Sequence, residues 1–155
     1  MLALLNTVLL AGFAGIGAWL DWRDRRLPNW LCGLALACGL GLASAAGGVS
    51  TVIPHLEHAG LALVVGMGLF AGGLIGGGDA KYYAALAAWF PLAEGFRLLL
   101  LVALAGLVLT SGLWALVWRK GARARAGAGA AALTQPQTVP YGVAIAAGAM
   151  IAQVW

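Results

Sequence analysis

The chain has 155 residues, of which 63% are hydrophobic and only 9% charged, with a formal net charge of +4. About a quarter of a soluble domain is charged, and the mean hydropathy here is +0.94. A soluble globular fold is therefore excluded, and several membrane-spanning segments are expected.

Residues 2–20 are apolar apart from Asn6 and Thr7. They predict a first spanning helix, because 19 residues at ~1.5 Å rise cover about 28 Å. Gly12, Gly15 and Gly17 within it read as small residues that let helices approach. The densest charge cluster follows, Asp21-Trp22-Arg23-Asp24-Arg25-Arg26. Pro28 then opens a second helix over residues 29–46. Cys32 and Cys38 match neither a redox nor a zinc spacing and read as buried small side chains.

A turn at Gly47-Gly48-Val49-Ser50 leads to a polar patch with His55, Glu57 and His58. Three such groups within four residues beside Pro54 make a poor metal shell, so no metal site is assigned. Residues 59–75 predict a third span, which the Gly76-Gly77-Gly78 run should break. A short fourth helix is expected from Asp79 through Tyr82, Leu86 and Trp89 to Phe90-Pro91. Asp79 falls in its first turn, where the helix dipole favours an anion. Residues 96–118 predict a fifth span, and Pro140 opens a sixth that runs to Trp155. Residues 119–137 between them are basic, then rich in Ala, Gly, Gln and Pro, and are expected to form a flexible cytoplasmic loop. The expected fold is an all-α, polytopic membrane bundle of about six segments. It is read as a single membrane-embedded domain over residues 1–155.

Apolar segments recur to the last residue, which one cleaved signal peptide does not explain. Eight of the nine basic residues fall on the first, third and fifth connections, and Arg97 is the exception. The positive-inside rule places those connections in the cytoplasm and the N-terminus outside. Asp21 and Asp79, 58 residues apart, then lie at cytoplasmic helix ends. A carboxylate at such a depth costs about 2.5–3.5 kcal/mol on insertion scales and points to function.

Two close carboxylates cannot both ionise readily, so they share a proton and titrate as a pair. That is the chemistry of an aspartic protease: one acid takes a proton from water and the other donates to the scissile carbonyl. Glycines beside Asp79 would leave room for a substrate backbone. The spacing alone leaves a second reading open, in which Asp21 is a solvated member of a basic interfacial cluster.

Gly76-Gly77-Gly78-Asp79, followed by Ala80-Lys81, resembles the GxGD motif of intramembrane aspartic proteases. Asp21, six intervening residues and Pro28-Asn29 resemble the other aspartate motif of the type IV prepilin peptidase family. Val139-Pro140-Tyr141-Gly142-Val143-Ala144 resembles that family's last helix. The resemblance implies an endopeptidase of the bacterial inner membrane that cuts the basic leader from prepilins or pseudopilins. The cut falls on the cytoplasmic side, after a glycine and before the apolar N-terminal segment of the mature pilin. By position, Asp21 and Asp79 would be the catalytic pair. Gly76, Gly78, Lys81, Pro28 and Asn29 would bind or position substrate. No metal or organic cofactor is implied. The partners implied are a prepilin or pseudopilin and the lipid bilayer, without nucleic acid, and self-association stays open. Long family members add a cytoplasmic domain, often with paired CxxC motifs, and N-methylate the product. With twenty residues before Asp21 and no CxxC, this chain resembles the short, peptidase-only form of tight-adherence (Flp) pili, for which no methylation is expected.

Among the other polar residues, Asp24 reads as a partner of the neighbouring arginines. Arg23, Arg25 and Arg26 read as topology and headgroup residues. Lys81 is equally a substrate-orienting group and a snorkelling anchor. The seven tryptophans near segment ends read as interfacial anchors, and Tyr82 and Tyr83 as packing. Two rival functions remain. One is a non-enzymatic membrane protein for proton or ion movement or pilus assembly. The other is a preflagellin- or presenilin-like GxGD protease.

Overall fold

The computed structural model describes the backbone of residues 1–126 and 141–154, and the side chains of residues 1–116 and 141–154. Among the described residues, six α-helices carry the fold: α1 (Leu2–Asp24), α2 (Asn29–Gly47), α3 (Val49–Ala71), α4 (Gly77–Ala87), α5 (Gly95–Ala126) and α6 (Tyr141–Val154). A 3-10 turn at Leu92–Glu94 precedes α5. The protein is an all-α, multi-span membrane bundle. Where about six crossing segments were expected, four stretches among the described residues are long and apolar enough to cross: α1, α2, α3 and Leu92–Leu116. With 11 and 14 residues, α4 and α6 reach only about 17 and 21 Å, against a hydrocarbon core of about 30 Å.

The short α4 lies at the centre. Ala80, Tyr82, Ala84, Ala85, Leu86 and Ala87 are buried, and the helix packs on α1, α2, α3 and α6. A helix enclosed on most sides has no wet face to provide, and its alanines let several neighbours come close. Around it, α1 pairs with α2 and α6, α2 with α3, and α5 with α6. By contrast, α3 and α5 share no packed interface among the described residues.

Three boundaries differ from expectation for identifiable reasons. First, α3 starts at Val49, so His55, Glu57 and His58 are helical rather than part of a polar connection. Each histidine satisfies a carbonyl beyond the C-terminal end of α4. His55 Nδ1–H donates to Ala88 O at 2.9 Å, and His58 Nδ1–H to Phe90 O at 3.0 Å. Carbonyls at a helix end have no intrahelical partner, and two imidazoles one turn apart supply it. Second, α3 is broken at Gly72-Gly73 and not at Gly76–Gly78. Gly73 has φ +71, which lets its N–H reach Phe70 O and the Leu74 N–H reach Leu69 O, a Schellman termination. Gly77 and Gly78 instead form the first turn of α4. Third, α5 continues to Ala126, so residues 119–126 of the expected loop are helical. The remaining part, 127–137, lies outside the described residues.

Two large side chains lock α4 in place. The Trp89 indole N–H donates to Ala35 O of α2 at 3.0 Å, and its ring lies where a Cβ on Gly39 would approach within 3.0 Å. Tyr82 is fully buried, and its hydroxyl donates to the Phe13 and Ala14 carbonyls of α1 at 3.2 and 3.3 Å. Its ring fills the space over Gly17, where a Cβ would lie 2.2 Å from the hydroxyl and 2.4 Å from Cζ. At the other end of the bundle the Arg97 guanidinium bonds the Ala152 carbonyl near the end of α6 and pairs with Glu94 at 3.3 Å.

Gly17→Ala is expected to lower stability by about 1–3 kcal/mol through overpacking against Tyr82. Tyr82→Phe is expected to cost about 0.5–1.5 kcal/mol. Thermal melts in detergent of both single variants and the double variant check this. The double variant should lose less than the sum, because the hydroxyl that bonds α1 is also the atom a Gly17 methyl meets first.

Candidate active site

Asp21 and Asp79 are brought to the same end of the bundle by three helix termini. Asp21 sits in the last turn of α1, whose helix extends past the expected end at residue 20 to Asp24. Arg25 then stops it in the left-handed conformation (φ 52). Asp21 is 6% exposed, and the first turn of α6 closes on it. The Gly142 backbone N–H donates to Asp21 Oδ2 at 2.7 Å, and the Val143 amide also acts on that carboxylate. The N-terminal amides of a helix have no intrahelical acceptor and favour an anion. Gly142 has to lack a side chain: a Cβ there would lie 2.8–2.9 Å from Asp21 Cβ, Cγ and Oδ2.

Asp79 is the third residue of α4, after the N-cap Gly76. Its carboxylate turns back on that cap and accepts from the Gly76 N–H, the acidic half of a capping box. A Cβ on Gly76 would approach Asp79 Oδ2 within 2.8 Å. The first glycine of the run thus leaves room for the acid's own side chain. A Cβ on Gly77 would meet the Phe70 ring at 3.3 Å, and one on Gly78 would meet Leu27 Cβ at 3.6 Å. Asp79 is half-buried, on a helix outside the four crossing segments. Burial, with the Asp21 charge second, pushes its carboxyl up to about 6, against the opposing Gly76 N–H. The two acids are therefore electrostatically coupled, although they come from different helices.

The remaining residues singled out in the sequence also gather at this end. Pro28 is the N-cap of α2, and its carbonyl accepts from the Leu31 and Cys32 N–H groups. Lys81 Nζ donates to Asn29 Oδ1 at 3.3 Å, and both side chains are exposed. Asp24 is also exposed and pairs with Arg23 at 3.7 Å. His55, Glu57 and His58 do not belong to this end. Among the described residues no cluster of three or more His, Cys, Asp or Glu converges on a common point.

With the acids, glycines and helix ends in this arrangement, a family model gives the class: that of the type IV leader peptidase family matches residues 8–111, a span containing both aspartates. The chain belongs to this family. It is a membrane aspartic endopeptidase that removes the leader from type IV prepilins. Comparison with curated proteins and with solved structures gives no match.

Tyr82 and Gly17 are packing residues, as the sequence suggested, but neither they nor Gly142 were tied to the two acids by it. Tyr82 lies one turn after Asp79, and Gly17 one turn before Asp21. A large residue and a small one at mirrored offsets from two acids are the sequence trace of helices that dock beside a shared site. Gly142 stood in the last-helix pattern, but nothing in its spacing tied it to Asp21.

Gly142→Ala is expected to push the first turn of α6 off Asp21 and to lower the cleavage rate at least about tenfold, or roughly 1.4 kcal/mol in the barrier. A quantitative cleavage assay normalised to membrane-inserted enzyme checks this. The conservative change Val143→Ile, which keeps the backbone amide that acts on Asp21, should retain most activity.

Proposed function

We propose that Asp21 and Asp79 are the catalytic pair of this peptidase and that they act at the cytoplasmic face. The observation that carries the reading is their placement at one end of the bundle, Asp21 in the last turn of α1 and Asp79 in the first turn of α4, across 58 residues of sequence. A single proton shared by the pair leaves one carboxylate and one carboxylic acid. The carboxylate takes a proton from water as the water oxygen attacks the scissile carbonyl carbon. The acid gives its proton to the carbonyl oxygen. The tetrahedral intermediate then collapses with proton transfer to the leaving nitrogen, which releases a new carboxyl terminus and a new amine. Lys81, held by Asn29 beside the site, and Gly78 are the groups best placed to meet the arriving peptide. Gly76 and Pro28 act by fixing the starts of α4 and α2.

Charge supports the orientation. Arg23, Arg25, Arg26 and Lys81 lie at the aspartate end, and Arg97 at the other. The positive-inside rule then puts the pair on the cytoplasmic side and the N-terminus outside. A bilayer-spanning proton relay fits less well. Of the five acids, Asp21, Asp24 and Asp79 lie at one end, and Glu57 and Glu94 toward the other, without the mid-membrane steps a relay needs. On this reading α4 and α6 are the two short members of a six-segment arrangement around the pair.

Asp21→Asn and Asp79→Asn should each abolish cleavage of a co-expressed prepilin while insertion and abundance stay normal. A variant that still processes the prepilin at the parental rate would sink the pair. The shared proton also predicts a pH profile. Asp79 titrates near 6, so the singly protonated pair is lost as pH rises through that value, and kcat/KM should fall on that alkaline limb. A profile flat between about pH 5 and 8 would count against a shared proton.

A further inference from the structure

Between α3 and α5 runs a groove of about 660 Å³ that reaches Asp79. Its walls are Val65 and Leu69 of α3 and Leu99 and Ala103 of α5, and Ala80 and Tyr83 of α4 form its floor. We propose that this groove holds, as a helix, the apolar membrane-embedded segment of the substrate that adjoins the scissile bond. The proposal rests on the leader-peptidase reading above and specifies where the substrate lies.

Three observations lead to that occupant. The first is continuity. One end of the groove is lined by Asp79 and Tyr141, and the other by His58 and Gly95. Whatever lies along it places one end at the carboxylate. The second is length. Gly95 and Thr110 of α5 both line it, a distance of about 22 Å along a helix, or about 15 residues of a second helix laid alongside. The third is chemistry. Aliphatic and aromatic walls offer almost no partners for backbone N–H and C=O groups, so a peptide lying there has to satisfy its own, and only a helix does so. At Asp79 the requirement reverses, because an acid pair can direct water only onto the carbonyl of a peptide bond freed from its helix. An occupant with an apolar helix in the groove and an unwound bond at Asp79 is a membrane-anchored peptide substrate. A lipid chain matches the walls but has no bond for the acids. Ala103 of α5, an exposed small residue, also lines the groove and permits the close backbone approach by which helices associate in a bilayer.

Ala103 is exposed and lines the groove, so a large side chain there fills the groove without displacing buried residues. Purified enzyme with Ala103→Trp should show a KM for an intact prepilin raised at least about tenfold, the signature of lost binding. Val108→Trp, on an exposed position of the same helix outside the groove, should keep the parental KM. An independent measurement uses prepilin carrying a photo-cross-linking residue in its apolar segment, bound to the full-length Asp79→Asn enzyme in lipid nanodiscs. Adducts are expected on α3 and α5, and they decide the matter even if Ala103→Trp fails to insert. A parental KM for inserted Ala103→Trp overturns the proposal, as do adducts confined to lipid or to α1 and α2. A prepilin left uncut by the parent enzyme overturns the leader-peptidase reading itself, whereas a prepilin cut normally with adducts elsewhere overturns the groove alone.

Discussion

The seating of Tyr82 over Gly17 sets the register on which the rest of the site depends. Tyr82 is three residues after Asp79, and Gly17 four residues before Asp21. In a helix both offsets are about one turn. A ring with no exposed surface, in a space that a methyl group would invade, admits one relative position of α1 and α4. Once that position is fixed, the two acids one turn away are fixed relative to each other. Trp89 secures the far end of α4 against α2, and the two α3 histidines hold the carbonyls just beyond it. A helix of 11 residues would be marginal alone. Here its position is determined at both ends and along its length.

Opposed electrostatic effects meet at Asp79. Burial and the nearby Asp21 charge disfavour its ionisation, while the Gly76 amide at the start of α4 favours it. Each acid is held by an amide belonging to a helix start, Gly142 for Asp21 and Gly76 for Asp79. Both of these residues are glycines because the carboxylate occupies the space a Cβ would fill. Strong amide donation to both acids would leave both ionised, and burial alone would leave both protonated. On the proposed catalytic pair, a balance between these limits would keep one proton, the state that peptide hydrolysis by two acids requires.

Much of the fold was legible because membrane helices announce themselves by length and apolarity. The first two helices begin at or next to their expected residues, and both aspartates lie at helix ends as the segment boundaries implied. What was not legible depended on partners distant in sequence. His55 and His58 read as a loop because two imidazoles and a glutamate near a proline look solvated. They are helical because the groups they satisfy, Ala88 O and Phe90 O, lie more than thirty residues away. The triple glycine looked like the break in α3 because glycine number outweighed glycine position. The termination belongs to Gly73, the residue with positive φ. Of the site, the two acids carried a local motif. Tyr82 and Gly17 read as packing residues and Gly142 as part of a last-helix pattern, but which helices they join, and that the joint lies beside the acids, no spacing within one segment records.

The open flank between α3 and α5 follows from placing a short acid-bearing helix in the middle. After α4 the chain has only Ala88 to Glu94, including the turn at Leu92–Glu94, before α5 begins. Gly95 at the start of α5 lies against His58 of α3, where a Cβ would come within 3.0 Å of Nε2, so the two helices approach each other locally at the end away from the aspartates. From there α5 leans onto α6, with Gly148 against Val102 and Gly106 against Tyr141, while α3 leans onto α2 and α4. Toward Asp79 the space between them is the groove, because the main packing partner of α5 is α6 and those of α3 are α4 and α2. On the side away from α3, α5 packs along α6, the helix whose first turn also meets Asp21 and which packs on α1. The packing that completes the acid pair is thus the same packing that leaves its flank open to the membrane.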